Sequence, residues 1–204
     1  MANSDRPNGF RAVKSLVGMP VNYMVRSALV GDVTADSTNS FGNLFVGSPV
    51  TIEGGYIETA LTNERIAGVP VGFGRLRANL QGNKGPFDPT NLERRYVDYS
   101  DTASNVWVCY YTPAELMVYE GQTGADLDIT LGETKDFGIT TTALATDTAH
   151  GNTNTQSSIL EYVDGSNDFV IVELPDQVGD DQTLTNAKAW ARFVDCWHLA
   201  ADAS

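Results

Sequence analysis

What most restricts the fold of this chain is a recurrence of short β-branched and aromatic runs, cut every few residues by Gly, Pro, Asn or Asp. No amphipathic stretch longer than three helical turns interrupts them. Branched and aromatic side chains suit a pleated surface, and punctuation at that spacing ends strands before a helix can build its first turns. Residues 105–112 (NVWVCYYT) carry the best strand signal. Val106, Val108 and Tyr110 fall on one face, and Trp107, Cys109 and Tyr111 on the other. Both faces are apolar, which predicts a central strand. Further runs lie at 21–30, 43–50, 56–60, 69–76, 115–119, 125–131, 138–146, 158–162 and 168–174. Glu53-Gly54-Gly55 reads as a turn, and Gly72 and Gly74 within a strand mark a bulge or a close backbone approach. Residues 187–199 fit a helix by their alanines. Their alternation, with Ala189, Ala191 and Phe193 opposite Trp190, Arg192 and Val194, favours a closing strand. About ten strand candidates of this kind predict an all-β fold, a β-sandwich or β-barrel body with an extended N-terminal arm.

The arm is assigned to residues 1–20, the β-rich body to 21–199 and a frayed C-terminus to 200–204. Pro7, Gly9, Gly18 and Pro20 break any period in the first twenty residues. Phe10, Val13 and Leu16 give the arm one apolar anchor group. With 204 residues, 42% hydrophobic and 19% charged, the chain suits one sizeable globular domain plus an arm. No apolar run approaches the roughly 18 to 20 residues of a membrane span. The polar opening has no apolar stretch of a secretory signal behind it, so synthesis and assembly in cytoplasm are expected. Cys109 and Cys196 cannot make a disulfide framework, and buried free thiols are the default for both.

Charge narrows the partners. The chain has 13 Lys and Arg against 26 Asp and Glu, a net charge of −13. That balance argues against nucleic acid as the main partner and against docking on an anionic membrane surface. Residues 1–95 carry ten basic and eight acidic groups; residues 96–204 carry three basic and eighteen acidic, net −15. The first thirty residues contain Arg6, Arg11, Lys14 and Arg26 against Asp5 alone. A solvated acidic surface explains the body most simply. An adhesive arm on a self-repelling, outward-facing body also suits a protein that decorates a larger particle.

Nothing in the pattern predicts bond-making. The two histidines, His150 in a polar loop and His198 beside Trp197, have no nucleophile motif around them. Cys196 and His198, two apart on a strand, are more simply a packed edge. Asp126 and Asp128 miss the calcium-loop register, because Thr130 stands at the third ligand position. Asp180-Asp181 reads as a turn, Arg94-Arg95 as a solvated spot, and Gly72-Phe73-Gly74 with Gly82 is no GxGxxG. Eighteen acids in one half make accidental carboxylate pairs certain, so they carry no glycosidase signal. Trp107, Trp190 and Trp197 lie in apolar surroundings that suit a core better than a sugar platform. The expectation is a non-enzyme with no metal and no cofactor.

The opening MANSDRPNGFRAV resembles a family of tailed-bacteriophage structural proteins that begin MAN-x-D-x-P-x-GF-x-P-V. The match runs through Met1, Ala2, Asn3, Asp5, Pro7, Gly9, Phe10, Arg11 and Val13, with Ala12 where the family often has proline. Residues 44–50 (LFVGSPV) are similar to a second family block, with Ser48 in place of aspartate, and residues 66–73 (IAGVPVGF) to a third. The resemblance spans roughly residues 1–75. It implies a head-decoration, or cement, protein on the outer capsid surface of a virion, reinforcing the shell. Its partner would then be the major capsid protein. Pro7, Phe10, Arg11, Val13, Lys14 and Leu16 would form the capsid-binding arm, adding a strand to a sheet edge on the shell. Removing residues 1–16 is expected to abolish capsid binding and leave the body folded. A homotrimer at three-fold positions is expected, with a dimer as the alternative. A β-sandwich carbohydrate-binding module, and another virion part such as a connector or tail-tube subunit, are the competing readings.

Overall fold

The structure is a computed structural model that describes residues 9–30, 44–60, 64–76, 96–97, 106–124, 129–138, 161–163, 165, 168–175 and 186–196. In chain order the strands are β1 (Arg11–Ser15), β2 (Arg26–Leu29), β3 (Leu44–Phe45), β4 (Val50–Glu53), β5 (Tyr56–Thr59), β6 (Gly68–Leu76), β7 (Tyr96–Val97), β8 (Val106–Pro113), β9 (Met117–Gln122), β10 (Thr134–Gly138), β11 (Glu161–Val163), β12 (Phe169–Glu173) and β13 (Lys188–Phe193). Two short 3-10 turns, Val21–Tyr23 and Ala114–Leu116, are the only helical pieces among the described residues. The fold is all-β, as the run spacing predicts.

Two large antiparallel sheets pack together. One has the order β1-β9-β13-β12-β10-β11 and the other β2-β8-β6-β4-β5, with a small β3-β7 pair beside them. Each large sheet curls round its own core. A bridge from Val30 to Ile57 joins the outer strands of the five-stranded sheet. A bridge from Thr123 to Tyr162 brings β11 back to the end of β9 in the six-stranded one. The first core gathers Val50, Ile57, Phe73, Trp107, Cys109 and Tyr111; the second gathers Phe10, Tyr119, Tyr162, Phe169, Ile171 and Phe193.

Strand β8 lies between β2 and β6, so residues 105–112 hold the central place their two apolar faces require. Pro113 ends β8, having no N–H for the ladder. The chain then crosses through Ala114–Leu116 into β9 of the other sheet. Thr112 and Tyr119 lock this crossing: the Tyr119 hydroxyl donates to the Thr112 carbonyl at 2.8 Å, and Thr112 Oγ1 donates to the Val69 carbonyl at 3.3 Å. The β4–β5 turn uses Gly54 at φ 56° and Gly55 at φ 89°, the left-handed pair a two-residue hairpin demands.

Several local expectations change. Run 21–30 is a 3-10 turn followed by β2 rather than one strand. In 43–50, only Leu44–Phe45 pairs before the chain turns into β4. Val71 and Phe73 have the same parity, yet Val71 is exposed and Phe73 buried. The ladder with β8 slips between Pro70 and Gly72, and this bulge re-aims the strand. The 115–119 run begins as a 3-10 turn. β7 and β10 have no counterpart in the sequence reading. Strand β13 is interior, between β9 and β12, rather than a closing edge. The Thr-rich run from 139 on, and residues 200–204, lie outside the described residues.

Candidate functional site

Over residues 10–15 the N-terminal segment does not stand apart from the body. β1 pairs antiparallel with β9, Arg11 opposite Glu120 and Ser15 opposite Met117, with a bulge between Ala12 and Lys14. Phe10 is 2% exposed. Its ring sits 4.8 Å from that of Phe169 and 5.1 Å from that of Tyr162, and its N–H donates to the Gly47 carbonyl at 2.7 Å. A side chain at Gly121 would collide with it: a Cβ there would lie 2.6 Å from the Phe10 ring and 2.8 Å from that of Tyr162. Gly121 therefore makes the socket that Phe10 fills, in the seam between β9 and β11. Phe10, expected in the arm's apolar anchor group, is thus packed into the protein's own core. Burying a large apolar ring contributes roughly 1.5–3 kcal/mol, which outweighs any exposed contact it could make.

Arg11 ties the strand down from outside. Its guanidinium donates to Glu120 Oε1 at 2.8 Å, while Trp190 Nε1 donates to Glu120 Oε2 at 3.1 Å and Lys188 Nζ lies 3.9 Å away. The Glu120 side chain is buried but that of Arg11 is 72% exposed, so the guanidinium keeps a face to solvent. Lys14 and Leu16 are exposed and Val13 half-buried. Pro7 lies outside the described residues. Of the six arm residues named from the sequence, the structure brings Arg11, Lys14 and Leu16 together on one outward flank.

Among the described residues no strand pairs with the second side of β1. Beside it runs a groove of about 400 Å³ between the two sheets, lined by Arg11, Val21, Val46, Val71, Glu120 and Lys188. Beyond it, Val17, Met19, Tyr23 and Val25 are exposed apolar groups in one short connector. Sequence reasoning stopped at Leu16. The apolar residues of 16–25 were readable in the chain, but their exposure was not, because the run looks like any strand.

Burial shields the two thiols and two of the phenols. Both cysteines are free and buried. Burial pushes the Cys109 thiol far up and the Cys196 thiol up to about 12, where the nucleophilic thiolate is scarce. Burial likewise raises the Tyr119 and Tyr162 phenols. Trp107 is in the core, and Trp190 is half-buried against Glu120. His150, His198, Trp197, Asp126, Asp128, Asp180, Asp181, Arg94 and Arg95 lie outside the described residues. Among the described residues, no group of three or more His, Cys, Asp or Glu could hold a metal ion, and no helix is long and apolar enough to cross a membrane. No family model, curated protein or solved structure matches the chain.

Proposed function

We propose that this protein binds the outer surface of a bacteriophage capsid and stabilises it as a decoration, or cement, protein. The observation that carries the reading is the side of β1 with which no strand pairs among the described residues, flanked by outward-facing Arg11, Lys14 and Leu16. An open edge offers a row of unpaired backbone groups that a strand of another protein can complete. Here β1 is the edge strand beside β9, and the partner adds the next. The major capsid protein is that partner. Basic side chains on this flank steer it toward acidic shell patches, while the net −15 of residues 96–204 keeps the bodies apart. The opening motif supports the same reading. Many weak contacts repeated on a symmetric lattice add up by avidity, and a homotrimer on three-fold positions uses that best.

The deciding variant is Lys14→Glu with Leu16→Asp. Both side chains are exposed, so the fold stays intact by circular dichroism. Occupancy on purified shells, read by co-sedimentation and electron microscopy, is expected to fall at least tenfold. Unchanged occupancy rejects docking through β1. Finding the chain inside the virion, or absent from virions, rejects the decoration reading altogether.

A further inference from the structure

Residues 16–25, which link β1 to β2, contain no fully buried residue. Leu16, Val17, Met19 and Tyr23 are 43%, 54%, 50% and 72% exposed. Val21 and Met24 pack against the core of the six-stranded sheet, while Leu16, Val17, Met19 and Tyr23 keep apolar area in water, area that a covering surface would favourably remove. We propose that β1 is exchanged between copies: the segment 9–15 of one copy lies along β9 of a neighbour, Phe10 enters the neighbour's Gly121 socket, and the neighbour covers Val17, Met19 and Tyr23, leaving Lys14 and Leu16 on the outward flank.

Three observations converge on a second copy as the occupant. The seam is built for this strand, since Gly121, Tyr162 and Phe169 accept Phe10 and Glu120 accepts Arg11. Those contacts are the same whichever copy supplies the strand. The charges are complementary between copies, with four basic groups and one acidic in the first thirty residues against net −15 in 96–204. Head meets body favourably, and body repels body. The connector can also open: Gly18 turns the chain at φ 75° with nothing within 4 Å of a Cβ there. Straightened, the ten residues 16–25 reach up to about 33 Å, enough to span to a neighbour. A reciprocal exchange closes a dimer, and passing the strand round a ring closes a trimer.

Lys14 and Val118 are cross-strand partners in the β1–β9 ladder. A full-length double variant, Lys14→Cys with Val118→Cys, places a disulfide across that ladder, and Cys109 and Cys196 remain buried. After mild oxidation of the purified protein, most of it is expected on a non-reducing denaturing gel as covalent dimer or higher species. A short thiol–thiol cross-linker reads the same geometry where oxidation is incomplete. A covalently closed monomer overturns the exchange, and so does a monomeric mass of the unmodified protein by light scattering. No capsid enters this assay, so its outcome leaves the docking proposal to its own test.

Discussion

The six-stranded lobe is packed with rings; the five-stranded lobe relies more on branched aliphatics around Trp107. In the former, Phe10, Tyr119, Phe137, Tyr162, Phe169 and Phe193 share one cluster, and Phe169 alone lies within 6.3 Å of four of the other rings. In the latter, Val30, Val50, Ile57 and Val97 surround Phe73, Trp107 and Tyr111. Each lobe also contains a glycine packed too closely for a side chain, for different reasons. Gly68, at the start of β6, abuts the Thr112 carbonyl and the Tyr111 ring. Gly121 abuts only rings. Backbone cannot yield where a ring can tilt, so tolerance to change differs between lobes although both are antiparallel sheets.

The sharpest way to break this contrast is Gly68→Ala. Its methyl group meets backbone, so a loss above about 4 kcal/mol is expected in urea unfolding. A loss no larger than that of Gly121→Ala would erase the distinction. Next comes Phe10→Ala, expected to cost about 3–5 kcal/mol as a large-to-small core change. Truncating residues 1–16 removes this ring and β1 together, so the truncated body loses at least as much. Its loss of capsid binding would therefore not isolate the docking surface.

Gly121→Ala is expected to cost about 1–3 kcal/mol by overpacking. Combined with Phe10→Ala, it should cost less than the two losses added, since the first obstacle to the new methyl is gone. Strict additivity would mean the ring does not occupy the socket. Alkali tests the ring lobe differently. Tyr119 and Tyr162 have phenols raised above 10.0 by burial, so the fold favours their protonated forms. Their contribution is complete below pH 10 and drains away above it, by up to about 1.4 kcal/mol per pH unit for each group. Cys196 adds to this between 9.0 and about 12. Stability flat from pH 9 to 11.5 would contradict the burial of all three. The smallest effect is expected from Arg11→Ala, below about 1 kcal/mol, because the Arg11 side of its ion pair is screened by solvent.

The sequence made the strand at 105–112 legible down to its central position, because apolar residues on both faces leave no solvent side. The Gly54-Gly55 turn was equally plain, since two left-handed residues in succession are cheap only for glycine. β7 and β10 were not legible. Tyr96–Val97 is too short to show a period, and Thr134–Gly138 (TKDFG) carries two charges in five residues. Lys135 is nonetheless buried, with Glu133 at 2.8 Å from its ammonium. The bulge at Pro70–Gly72 was hinted at by its glycines, but which side chains it turns outward depends on the register with β8.

The candidate site divides the same way. Composition and local spacing alone determined that the chain is all-β, that its leading segment is basic, and that its two thiols are buried. Those properties follow from side-chain shape, charge and backbone freedom, which each residue carries with it. Tertiary structure decided that Phe10 turns inward while Arg11, Lys14 and Leu16 turn out. A strand has two faces, and only the partner strand β9, with the gap left by Gly121 more than a hundred residues away, chooses which face meets the core.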